Sequence, residues 1–112
     1  AAGTRSLEIA RAAGVKMAYG TDLVAEGLHH QTSEFLIRGA VLSPLEQLRS
    51  ATVIGAELLL QEGRLGTIAP GALADMIVVD GNPLDDIAVL ARQGETLPMI
   101  IADGEVVKNR LG

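Results

Sequence analysis

A chain of 112 residues is of single-domain size, and a domain that long buries roughly two-thirds of the surface its unfolded form exposes. Its formal charge of −5, with nine scattered basic residues, excludes the clustered Lys and Arg of a nucleic-acid footprint. Charges and glycines interrupt every apolar run, so no stretch is long enough to span a bilayer and no membrane partner is expected.

Aromatics make up 2% of the residues, only Tyr19 and Phe35, so Ala, Leu, Ile and Val must fill the interior, which suits a layered α/β structure. Without cysteine there is no disulfide framework and no thiolate site, and the expected location is the cytoplasm. The chain opens on Ala1-Ala2-Gly3, with no initiator Met, on the approach to a helix. The native start is therefore expected far upstream.

From Thr4 to about Ala13 the apolar positions Leu7, Ile9, Ala10 and Ala13 fall near helical spacing, and Gly14 sits where a C-terminal cap belongs. Val15-Lys16-Met17-Ala18-Tyr19 is a short apolar run between Gly14 and Gly20, the pattern of a buried strand with Lys16 as its exception. It ends in Gly20-Thr21-Asp22. A strand ending this way leaves the Asp22 carboxylate at its C-terminal mouth, which in a (β/α) barrel is where chemistry is assembled. Asp22 also suits a turn or an N-cap, for which Gly-Thr-Asp alone is unremarkable.

Leu23 to Gln31 lacks a clean period and reads as a loop, after which Thr32 or Ser33 caps a helix from Glu34 to about Arg38 that Gly39 ends or bends. Ser43-Pro44-Leu45-Glu46 is the clearest start signal: a Ser N-cap, Pro at the first helical position and Glu completing a capping box. A long helix is expected to follow, with Leu45, Leu48, Ala51, Thr52, Gly55, Ala56 and Leu59 on one packed face. After Gly63 come extended pieces and turns. Pro70-Gly71 makes a turn, Ala74 to Asp80 is a β-branched run, and Gly81-Asn82-Pro83 breaks it. Pro83 to about Leu90 forms one or two helical turns, with Asp85-Asp86 as the cap. Asp103-Gly104 between Met99-Ile100-Ile101-Ala102 and Glu105-Val106-Val107 signals a two-residue hairpin. Asp75 and Asp80, at strand ends, read as solvated or turn-holding acids.

Taken in order, Gly20-Thr21-Asp22, the stretch Leu42 to Thr52, and Leu65-Gly66-Thr67-Ile68-Ala69-Pro70-Gly71-Ala72-Leu73-Ala74-Asp75 followed by an apolar strand and Gly81-Asn82-Pro83-Leu84 resemble the metal-dependent amidohydrolases. The likeness is closest to their imidazolonepropionase-like and Xaa-Pro dipeptidase-like branch, covers nearly the whole chain, and matches only the C-terminal end of the family pattern. It implies an α/β fold: residues 1–62 as the end of a (β/α)8 TIM barrel whose last strand is Val15 to Tyr19, and residues 63–112 as the C-terminal strands of a β-rich composite domain. The partner so implied is the rest of the barrel or another copy of the chain.

For the site, the resemblance implies that Asp22 is both metal ligand and catalytic group, taking a proton from a metal-bridging water that attacks a C–N bond of a small amide, cyclic amide or dipeptide. The cofactor implied is a divalent metal, zinc by preference, as one or two ions. The family's His-x-His pair and its other ligands are absent. His29 and His30 are adjacent, so they cannot replace a His-x-His pair, whose alternate residues share one face of a strand. His30 is instead expected to touch substrate at the pocket mouth, with Glu34 orienting it or capping the helix. The competing reading is a non-catalytic structural fragment or a subunit that complements a separate chain.

Overall fold

Helix α1 (Ala2–Ala12) opens the computed structural model, which describes residues 2–112, and ends where the sequence places Gly14. There φ turns to +68°, and the amides of Gly14 and Val15 bond back to the carbonyls of Arg11 and Ala10, both at 3.0 Å. This paired closure satisfies carbonyls that the helix end would otherwise leave open.

The expected strand from Val15 to Tyr19 does not form. A strand needs a neighbour, and among the described residues none lies alongside, so the segment bonds to later helices instead. The expected loop from Leu23 also differs, winding into a 3-10 turn (Ala25–Ser33) that runs directly into α2 (Glu34–Arg38). Ser33 makes no capping bond because its backbone is already helical, and Gly39 closes α2 in the right-handed region.

Helix α3 (Pro44–Ala51) begins as the sequence dictates, with the Glu46 amide donating to Ser43 Oγ at 3.2 Å and the Ser43 amide donating to Glu46 Oε2 at 2.7 Å. The Arg11 guanidinium reaches the same carboxylate at 2.8 Å and, with the Ser43 amide, holds the Glu46 carboxyl down at about 2. The long helix expected here breaks at Thr52, whose φ of −122° and ψ of −94° separate α3 from α4 (Val53–Leu58). Thr52 Oγ1 donates back to the Leu48 carbonyl at 2.6 Å, a bond that competes with the helix ladder and bends it. The buried face shifts as a result. Gln47, Ser50 and Ala56 are inside, whereas Leu45 and Leu59 are exposed. Neither amide atom of the wholly buried Gln47 has a partner among the described residues, at a cost of about 1–3 kcal/mol.

The second half is a three-stranded antiparallel sheet in the order β1 (Met76–Val78), β2 (Met99–Ala102), β3 (Glu105–Asn109), with a bulge between Ile100 and Ile101. Asp103 and Gly104 take φ of +50° and +80°, the left-handed pair that a two-residue hairpin needs. As expected, Asp75 holds a turn: its Oδ1 accepts from the Asp103 amide at 2.7 Å. Asp86 caps the 3-10 turn Ile87–Leu90 through the Ala88 amide at 3.0 Å, and α5 (Gln93–Thr96) leads into β2.

Phe35 of α2 joins the two halves, packing with Val89, Leu90 and Leu97, while Tyr19, Leu48, Val79 and Ile87 close around them. Each large apolar side chain so buried contributes about 1.5–3 kcal/mol. Ile77, Val106 and Val107 stay exposed on the sheet. No described helix is long and apolar enough to cross a membrane.

Candidate active site

The segment from Met17 to Gly20 has no strand beside it, so its polar groups must be satisfied in another way. Ser50 and Arg38 supply the partners. Ser50 Oγ donates to the Met17 carbonyl at 2.6 Å, and the Tyr19 amide donates to the Ser50 carbonyl at 3.0 Å. Arg38 spreads its guanidinium over the remainder: Nη1 donates to the Ala18 carbonyl at 3.1 Å and Nη2 to the Gly20 carbonyl at 3.2 Å.

Arg38 is 8% exposed, and a charge so enclosed requires compensation. Glu34, one helical turn earlier, provides it by accepting from Arg38 Nε at 2.8 Å. The guanidinium also lies 5.2 Å from the centre of the Tyr19 ring, within cation–π range. The pair is part-buried, with the Glu34 side chain 23% exposed, so removing one partner costs less than the loss of a fully enclosed pair but leaves the Arg38 charge poorly compensated. Glu34 therefore serves Arg38, rather than capping the helix or orienting His30 as expected.

Tyr19 seats its ring against Phe35, with centroids 4.5 Å apart, and its hydroxyl donates to the Gln31 carbonyl at 2.5 Å. Burial, reinforced by the nearby Glu34 carboxylate, pushes its phenol up to about 12, against the opposing pull of Arg38.

From this pinned base the chain turns outward. Asp22 adopts φ of +53°, in the left-handed region that aspartate tolerates better than most non-glycine residues, and Ala25, which does not share that tolerance, follows at +49°. The Leu23 amide donates to Thr21 Oγ1 at 3.4 Å, while the Asp22 side chain is exposed and takes no hydrogen bond from the described residues. The carboxylate is thus presented by a fixed backbone with its oxygens available. His30 lies on the 3-10 turn, exposed, with its ring 3.9 Å from that of His29. No hydrogen bond among the described residues joins it to Asp22.

Among the described residues no three His, Cys, Asp or Glu side chains gather where one ion could be held. A zinc ion takes four positions, and no cluster among the described residues supplies them, so those residues do not by themselves fit a metal. The sequence reading missed Arg38 and Ser50. The visible signal for Arg38 was its i, i+4 spacing from Glu34, which on a helix brings an acid and a base together.

The Amidohydrolase family model matches residues 1–107. A crystallised amidohydrolase is 49% identical to this chain and superimposes with a TM-score of 0.94, over 99% of this chain and 27% of its own. A prolidase crystallised with N-methylphosphonate-L-proline is likewise 49% identical, with a TM-score of 0.89, over 96% of this chain and 26% of its own. A probable guanine deaminase of Deinococcus radiodurans is 34% identical across 84% of this chain and 21% of its own length. The chain thus spans between 21% and 27% of the length of these relatives. Matched along nearly all of its residues by the family model and so closely by a prolidase, the chain belongs to the amidohydrolase family, in its dipeptidase-like branch.

Proposed function

We propose that the chain is the C-terminal portion of a metal-dependent hydrolase that cleaves a C–N bond in a small amide or dipeptide, an Xaa-Pro dipeptide being the favoured substrate. The observation that carries this reading is the presentation of Asp22: an exposed carboxylate with no hydrogen bond among the described residues, on a turn of positive φ whose upstream backbone is pinned by the buried Arg38. The 49% identity to a prolidase directs the choice of substrate.

In this reading Asp22 is the catalytic carboxylate and one ligand to a divalent metal, zinc by preference, whose remaining ligands come from outside these residues. Such an ion, when bound, supplies water that ionises near neutral pH. Asp22 holds and passes on a proton at its carboxylate oxygen. His30 stands on the substrate side of the site.

Residues 1–62 belong on this proposal to the end of a (β/α)8 barrel and residues 63–112 to a β-rich domain, with the rest of the barrel, or another copy of the chain, covering them. The extent of the surface supports this. A folded monomer of 11.6 kDa exposes about 5,800 Å². This chain exposes 7409 Å² and keeps Leu58, Leu59, Leu60 and Ile68 in solvent. A cytoplasmic setting belongs to the same proposal.

The full-length protein, supplied with zinc, is expected to release proline from Met-Pro and related Xaa-Pro dipeptides while leaving guanine intact. Deamination of guanine with no cleavage of any amide or dipeptide would overturn the substrate assignment. A native polypeptide of only 112 residues that binds no metal would favour the non-catalytic module.

A further inference from the structure

Two fixed points define the turn that carries Asp22. Upstream, the Gly20 carbonyl is held by Arg38 Nη2 at 3.2 Å; downstream, the Gln31 carbonyl is held by the Tyr19 hydroxyl at 2.5 Å. Between them the backbone contains two non-glycine residues with positive φ, Asp22 and Ala25. Conformations of this kind persist only where the surroundings over-determine them. Loss of the upstream hold would allow the turn to relax and the carboxylate to swing.

The hold depends on the shape of the guanidinium as well as its charge. Nε, Nη1 and Nη2 of Arg38 address three different acceptors, Glu34, the Ala18 carbonyl and the Gly20 carbonyl. A lysine ammonium is a compact point charge and does not reproduce that fork. We propose that Arg38, oriented by Glu34, is a positioning residue: by fixing the Ala18 and Gly20 carbonyls it sets the direction in which the Asp22 carboxylate leaves the chain. This rests on the reading of Asp22 as the catalytic carboxylate, and it adds a residue that touches neither substrate nor metal.

The test uses the full-length zinc protein with Met-Pro as the probe and the variants Arg38→Lys, Arg38→Met, Glu34→Gln and Asp22→Asn. Arg38→Lys retains the charge and is the variant to read if Arg38→Met fails to fold. For Arg38→Lys, kcat is expected to fall about a hundredfold, the penalty of a misplacement near 1 Å. KM is expected to stay within about threefold, since substrate contacts are untouched. Hydrogen exchange across residues 17–24 is expected to quicken about tenfold while the melting transition remains cooperative.

Wild-type kcat in Arg38→Lys, with Asp22→Asn inactive, would overturn the Arg38 inference and leave the Asp22 reading standing. Wild-type turnover in Asp22→Asn would overturn the Asp22 reading and this inference with it. Exchange across residues 17–24 unchanged in both Arg38 variants would overturn the inference whatever the turnover.

Discussion

The hydroxyl of Ser50 donates to the Met17 carbonyl at 2.6 Å while the carbonyl of the same serine accepts from the Tyr19 amide at 3.0 Å. One buried residue of α3 thereby stands in for the strand that the Met17 to Gly20 segment lacks on that side. Replacing Ser50 by alanine leaves the Met17 carbonyl without its donor in a site that is 2% exposed. The expected loss is about 1–3 kcal/mol, seen as a lower urea midpoint with the m-value unchanged. An unchanged midpoint would mean that the hydroxyl does not hold the segment.

Helix α4 ends with a residue poorly suited to its backbone. Leu60 sits at φ of +56° while its amide and that of Gln61 bond back to the carbonyls of Glu57 and Ala56, at 3.0 and 2.9 Å. Glycine is the preferred residue at such a closure because it has no Cβ to crowd the carbonyl. Leu60 is 84% exposed, so little packing is lost with its side chain. Leu60→Gly is expected to raise stability by about 1 kcal/mol in thermal or urea melts. A decrease would show that Leu60 is covered by a partner in solution.

Gly66 and Gly63 separate two costs that are usually mixed. Both have positive φ, +67° and +76°. A Cβ on Gly63 meets open space, whereas one on Gly66 would lie 2.5 Å from the Thr52 carbonyl oxygen. Gly63→Ala is expected to cost about 1–2 kcal/mol, the backbone penalty alone. Gly66→Ala adds a clash at the break between α3 and α4, and its denaturation midpoint is expected to fall well below that of Gly63→Ala. Equal midpoints would place Gly66 away from Thr52.

Tyr19 is the sole tyrosine and tryptophan is absent, so ultraviolet absorbance of the phenolate reports on one group in this chain. Its midpoint is expected at about 12 in the folded chain and about 10 in denaturant. The folded value is the higher one, so the folded state binds this proton more tightly. Its contribution to stability is therefore complete below pH 10 and is lost as pH rises through about 12. A folded midpoint near 10 would show the ring solvated and detached from Phe35.

Features built from adjacent residues were legible in the sequence: the Ser43-Pro44-Glu46 capping box, the Gly14 closure of α1 and the Asp103-Gly104 hairpin each carry their own chemistry locally. What the sequence hid depends on distant partners. Val15 to Tyr19 has the composition of a strand, but composition does not supply a neighbour to pair with. The break at Thr52 follows from a back-bond of its hydroxyl to Leu48, which a helical period does not reveal. At the proposed site, Asp22 was visible as a motif residue. The role of Arg38 was not, because its i, i+4 spacing from Glu34 reads as a surface pair until its bonds to the Ala18 and Gly20 carbonyls are seen.

The central claim is that Asp22 ligates a metal and carries the chemistry. Zinc bound per full-length protein, measured beside Met-Pro hydrolysis in the wild type and in Asp22→Ala, tests it most directly. The account predicts stoichiometric zinc and turnover in the wild type, with weakened zinc binding and hydrolysis abolished in the variant. Unaltered zinc content together with wild-type hydrolysis in Asp22→Ala would contradict it.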